Sequence, residues 1–135
     1  MTDSRNVVPG KTVMLTRRAV CRFYLFRPDA KMRQIFLYCL AVAAERHGIL
    51  VHAAVLLSTH LHVVFTDSRG EYPDFLQRFH RLLANCTKAH RGWGHQVFDG
   101  SGSHILDLET PGAVIQESAY VVVNPVACGA VRYAR

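Results

Sequence analysis

One stretch of this chain leaves few folds open: Val51-His52-Ala53-Ala54-Val55-Leu56-Leu57-Ser58-Thr59-His60-Leu61-His62-Val63-Val64-Phe65-Thr66-Asp67. It predicts two strands joined by a tight Ser58-Thr59 connection. The second strand alternates, with His60, His62, Val64 and Thr66 on one face and Leu61, Val63 and Phe65 on the other. One face therefore demands a packed layer, while the other carries chemistry-bearing side chains. Residues two apart on a strand place their side chains roughly 6 to 7 Å apart on one face. A divalent metal fits between two imidazoles so placed, given a third ligand from a neighbouring element. A bare His-x-His is equally what a hairpin with a polar open face presents.

Ser58-Thr59-His60-Leu61-His62-Val63-Val64-Phe65 resembles the His-hydrophobic-His strand of the HUH single-strand DNA nucleases. More narrowly it resembles the tyrosine transposases of small insertion sequences and their REP-associated relatives. A second match is Tyr120-Val121-Val122-Val123-Asn124-Pro125-Val126-Ala127-Cys128-Gly129-Ala130-Val131, similar to that family's Tyr-x-x-x-Asn-Pro-Val-x-x-Gly-x-Val segment. A third is Pro9-Gly10 followed by Val13-Met14-Leu15-Thr16-Arg17-Arg18. The three occur in family order and span most of the chain. The resemblance implies an α+β ferredoxin-like sandwich with the His strand central. It also implies a Mg²⁺ or Mn²⁺ ion held by His60 and His62, and single-stranded or hairpin DNA as partner.

With 135 residues the chain is expected to form one domain, spanning residues 1 to 135. No apolar run reaches the roughly 18 residues of a membrane span, and the first residues lack a signal-peptide core, so the expectation is a cytoplasmic protein without membrane partners. Cys21, Cys39, Cys86 and Cys128 form no Cys-x-x-Cys pair and sit in apolar patterns, which reads as four buried thiols. The formal charge is +6, and 13 of the 16 basic residues are arginine. Arginine forks phosphate and stacks on bases, which suits nucleic acid, although many basic domains bind none.

In chain order, Thr12 to Thr16 reads as a strand running into Arg17, Arg18 and Arg22. These arginines are either phosphate contacts or a solvated face. Pro28-Asp29 opens a helix whose Met32, Ile35, Phe36, Cys39, Leu40 and Ala43 recur at helical spacing until Gly48 stops it. Ile49 to Leu57, apolar on both faces, is expected to be a central strand with His52 in the core. Tyr72-Pro73-Asp74 begins a second helix, ending near Arg91. Phe75, Leu76, Phe79, Leu82, Leu83 and Cys86 form its apolar side, and Arg78, Arg81, Asn85 and Lys88 a basic stripe. Between Gly92 and His104 the chain is loop-rich. There Trp93, His95, Phe98 and His104 either stack on bases or, for Trp93 and Phe98, plug the end of the sheet. Ile105 to Leu108 reads as a strand. Thr110-Pro111 caps a third helix, expected to turn Val114, Ile115, Ser118, Val121 and Val122 inward and to end at Asn124-Pro125.

In the resembled transposases, the second long helix is expected to carry both the nucleophilic tyrosine and an asparagine as third metal ligand. Here that alignment puts the tyrosine at Leu83 or Ala84 and the ligand at Lys88, an ammonium with no lone pair. No tyrosine lies between Tyr72 and Tyr120. The catalytic position therefore reads as lost, with Cys86, Tyr120 and Tyr133 as substitutes and Tyr120 expected to be structural. The DNA-contact candidates are Arg17, Arg18, Arg22, Arg78, Arg81, Lys88 and Trp93. Two functions follow: a metal-assisted single-strand DNA endonuclease acting in DNA transposition, or a domesticated module that binds single-stranded or hairpin DNA without cutting it. Either would act as a monomer or homodimer.

Overall fold

The alternating strand that starts at His60 lies inside a four-stranded sheet. A computed structural model of the protein describes residues 7 to 127. Its elements are β1 (Lys11–Arg18), a short 3-10 turn (Val20–Arg22), α1 (Ala30–His47), β2 (Ile49–Leu56), β3 (His60–Asp67), α2 (Tyr72–Arg91), β4 (His104–Asp107) and α3 (Pro111–Ala127). The sheet order is β2-β3-β1-β4, and every neighbouring pair is antiparallel. β1 and β2 thus run parallel with β3 between them, and β3 and β4 run parallel with β1 between them. The two interleaved βαβ units make the expected α+β ferredoxin-like sheet, with the His strand central.

The sheet separates two cores. On one face, Leu61, Val63 and Phe65 of β3 and Val13 and Leu15 of β1 pack against α1 and α2 through Met32, Phe36, Leu40, Phe75, Phe79 and Leu83. Phe65 meets Phe75 edge-on at 5.2 Å between ring centroids. On the opposite face a smaller cluster joins Met14, Ala53, Val55, Leu57, Val64 and Leu108 to Val121 of α3. The arrangement with helices on one side holds for α1 and α2, while α3 crosses the other side, over the histidine face.

Local chemistry sets the helix ends. Asp29 caps α1, accepting the Met32 N–H at 2.7 Å, and also accepts from Arg91 at 2.7 Å and His90 at 3.2 Å. The Met32 N–H foremost, with Arg91 and His90 behind it, holds the Asp29 carboxyl at about 2. At the other end of the α1/α2 layer, Arg78 donates from Nε to His47 Nε2 at 3.2 Å, and His47 Nδ1 meets Glu71 Oε1 at 3.1 Å. Asp67, with no solvent exposure, accepts the backbone N–H groups of Glu71 and Tyr72 at 2.9 and 3.0 Å, which fixes the start of α2. Asp67→Ala orphans both donors, so the expected loss is about 3 kcal/mol, read as a lower denaturant midpoint at unchanged slope. Asp67→Asn, which retains one acceptor oxygen, should lose less.

Five expectations change. β2 is an edge strand: its second half is apolar on both faces because α1 and α2 cover one face and α3 the other, while Leu50, Val51 and His52 in its first half are exposed. His52, at the register shift between Val51 and Ala53, bonds Thr66 Oγ1 at 2.7 Å rather than lying in the core. Cys21 is exposed, because β1 gives way to the 3-10 turn instead of extending through it. Cys128 and Tyr133 lie outside the described residues. Lastly, α3 continues past Asn124-Pro125 to Ala127, since a proline in the final turn forfeits one hydrogen bond without excluding helical φ. Val121 is fully buried, but Ile115 and Val122 are 70% and 44% exposed, a helical step of about 100° off the face that packs.

Candidate functional site

His60 and His62 stand side by side on β3, on the face that α3 crosses. Their rings lie 4.9 Å apart between centroids and nearly perpendicular, at 84°. Each ring is oriented through Nδ1. His60 Nδ1 meets the Thr59 hydroxyl at 3.0 Å, and His62 Nδ1 meets Thr16 Oγ1 at 2.9 Å. Thr16 arrives by register, since it pairs with His62 across β1 and β3. With Nδ1 engaged in each case, Nε2 is the nitrogen left for a ligand role, the arrangement by which an outer hydroxyl orients a metal-binding imidazole.

The electrostatics keep both rings neutral. Burial foremost, then the neighbouring His60 and Arg18, pushes His62 down from 6.5 to about 4. Burial, then Arg18 and Arg22, also lowers His60. Each ring is thus held toward the neutral imidazole, the form that ligation requires, in which one of its two nitrogens carries no proton. The sign for stability follows. Between pH 6.5 and about 4 the unfolded chain takes up a proton that folded His62 refuses. The stability from neutral His62 is therefore complete above pH 6.5 and lost as pH falls through that window. A proton NMR titration of the metal-free protein should show the His62 ring titrating near pH 4; a midpoint at 6.5 would contradict the packing described.

The donor set fits a divalent ion as a half-site. Two imidazoles suit borderline divalent ions, while Mg²⁺ and Mn²⁺ prefer oxygen donors, which would have to complete such a site. Among the described residues no group of three or more His, Cys, Asp or Glu side chains converges. Any further ligand would be an amide, a hydroxyl, water or the substrate itself.

Tyr120 is the described tyrosine that approaches this pair. Its ring lies 6.3 Å from that of His62, at 68°, and the residue is 52% exposed. It gets there because α3 is anchored by Val121, whose burial against Val64 turns the preceding residue along the strand toward His62. The second helix, to which the alignment assigned the nucleophile, lies across the sheet. Leu83 of α2 is buried in the α1/α2 core, with Ala84 and Cys86 packed against it. Cys86 adjoins Cys39, whose thiol is pushed up to about 12 by burial first and then by Cys86. Lys88, Arg78 and Arg81 belong to that same helix, so none of the three meets the histidines. The β alternation also divides the N-terminal arginines. Arg18 pairs with His60, whereas Arg17 pairs with Leu61 and turns to the other face, its guanidinium 4.9 Å over the Phe98 ring. Phe98 is buried and plugs the sheet end, while Trp93 stays half-buried. Thr16, which sequence reasoning passed over, shares the histidine face with His104, which it had named only as a base-stacking candidate. Thr16 orients His62, and His104 pairs with Thr16 from β4. The alternation of β1, read as closely as that of β3, would have placed Thr16 there.

Fold and site together define a ferredoxin-like domain with a neutral histidine pair on the face opposite its two main helices. Among solved structures, the chain is similar to a REP-associated tyrosine transposase bound to a REP hairpin, with a TM-score of 0.73 at 19% identity over 98% of this chain and 77% of that one. It is also similar to a candidate transposase from Deinococcus radiodurans R1, with a TM-score of 0.61 at 15% identity over 90% of this chain and 95% of that one. The chain shares the fold of these proteins. No protein-family model and no curated protein matches its sequence. No helix among the described residues is long and apolar enough to cross a membrane.

Proposed function

We propose that this chain is a transposase-type DNA-processing domain. In this reading it binds single-stranded or hairpin DNA and cleaves it through Tyr120 beside a divalent ion on His60 and His62. The observation that carries the reading is the approach of Tyr120 to His62 on the sheet face that α3 crosses, their rings 6.3 Å apart. α3 carries Tyr120 and Asn124 one helical turn apart, whereas α2 carries no tyrosine near Leu83 or Ala84. In this reading Tyr120, held as a substitute and expected to be structural, takes the nucleophile's part.

The chain's own residues divide the work. Thr16 and Thr59 hold the two imidazoles with Nε2 free. Arg18 and Arg22, close enough to disfavour protonation of His60, offer cationic partners for the DNA phosphates. Tyr120 supplies the hydroxyl: its oxygen bonds to phosphorus as one phosphate–sugar bond breaks, the phenolic proton is released, and the departing sugar oxygen takes one up. A bound Mg²⁺ or Mn²⁺ would supply Lewis-acid polarisation of the phosphate. The test is to incubate the protein with end-labelled hairpins and single strands plus Mn²⁺, denature, and look for label migrating with protein. A metal-dependent band supports the reading. DNA binding with no band on any strand would leave a binding module instead.

A further inference from the structure

Immediately after β1 the backbone does something costly. Cys21 and Arg22 are consecutive non-glycine residues with φ of 50° and 54°, in the left-handed region that their Cβ atoms disfavour. Such strain persists where surrounding contacts over-determine it, and it gathers at functional positions. The contacts here are specific. Ala19 N–H bonds Thr59 O at 2.8 Å, next to His60; Val20 N–H bonds Val97 O at 2.8 Å; and Phe26 N–H bonds Ser58 O at 3.1 Å. The turn is thereby pinned between the entry to the histidine strand and the loop after α2.

The strained turn projects two aromatic side chains outward. Phe23 is 48% exposed and Tyr24 is 70% exposed. Phe23 meets Trp93 edge-on at 5.5 Å, and Trp93 meets His95 edge-on at 5.4 Å. The indole N–H is already satisfied by Gln96 O at 3.0 Å, so the ring is held by its own loop and seeks no polar partner. An exposed Phe23 and a half-buried Trp93, fixed against each other with Arg22 next in sequence to Phe23, suit a ligand that is flat and apolar at one end and anionic at the other. A nucleotide has that form.

We infer that Phe23, set in place by the left-handed Cys21-Arg22 turn, and Trp93, held by its own loop, form a stacking subsite for one unpaired DNA base at the end of the sheet where the histidine strand begins. The inference rests on the single-strand DNA reading above and adds a specific contact to it. Phe23 and the turn were not foreseen from sequence, whereas Trp93 was.

The chain has one tryptophan, so fluorescence excited at the red edge, where tyrosine does not absorb, reports Trp93. Titrate the Tyr120→Phe protein, without metal, with a dye-free single-stranded oligonucleotide and with an abasic strand of equal length and charge. The expected result is saturable quenching by the first and little by the second. Phe23→Ala should weaken affinity for the base-bearing strand about tenfold, and Phe23→Tyr should restore it. Circular dichroism of Phe23→Ala checks that the fold survives. Equal quenching and affinity for both strands, or wild-type affinity in Phe23→Ala, would overturn the subsite while sparing the cleavage reading. Absence of any strand binding, measured separately by sedimentation, would overturn both.

Discussion

Tyr120→Phe should abolish the covalent protein–DNA adduct, with strand cleavage reduced ~10³-fold or more, and should leave DNA affinity within about twofold. The size of the effect follows from removing the attacking atom itself. In-line attack requires the oxygen roughly 3 to 3.5 Å from phosphorus on a rigid support. Tyr120 satisfies the support: it precedes the fully buried Val121 on α3 and sits 6.3 Å, ring to ring, from His62. Half exposed, its ring can be approached by a strand lying along the sheet face. Phenylalanine preserves the packing, so folding should be unchanged. Cys86→Ser is the paired control. Its thiol lies beside Cys39 between α1 and α2, with the sheet between it and the histidines, and its loss should not alter the adduct. An adduct that survives Tyr120→Phe but disappears with Cys86→Ser or Tyr133→Phe would assign the attack elsewhere.

His60→Ala combined with His62→Ala should lower Mn²⁺ affinity at least 100-fold, to below calorimetric detection, and eliminate metal-dependent cleavage. Two neutral imidazoles with engaged Nδ1 atoms are the described donors that converge, so no substitute set stands nearby. Thr16→Val tests the orienting hydroxyl separately. It removes the partner of His62 Nδ1 without touching a ligand, and should cost roughly 10-fold in metal affinity. Equal Mn²⁺ binding by the wild type and the double variant would exclude the histidine pair as the site.

The sheet, the two long helices and the histidine pair were legible because each rests on local periodicity. β3 alternates over its full length. α1 and α2 carry apolar residues at helical spacing between caps at Asp29, Gly48 and Gly92. What was illegible depends on which layer a helix joins. Both Leu83 on α2 and Tyr120 on α3 are helical residues near motif positions, and sequence spacing does not say which face of the sheet each helix covers. Only the burial of Val121 in one cluster with Val64 and the other side chains of that face settles it. The same ignorance made β2 look central, since coverage of both faces by helices gives an edge strand the composition of an interior one. Likewise, nothing local in Val20-Cys21-Arg22 announces left-handed backbone; that conformation is imposed by hydrogen bonds to residues as distant as Thr59 and Val97.

β3 is one residue thick, yet its neighbours in sequence serve unrelated ends. Leu61, Val63 and Phe65 hold the main core, and His60 and His62 face the opposite way. A slip of one position against β1 and β2 would exchange the two sets, driving two imidazoles into the α1/α2 core and three large apolar groups onto the face that α3 crosses. One register thus serves the main core and the histidine face together. For this chain, correct pairing and a competent histidine face are one event.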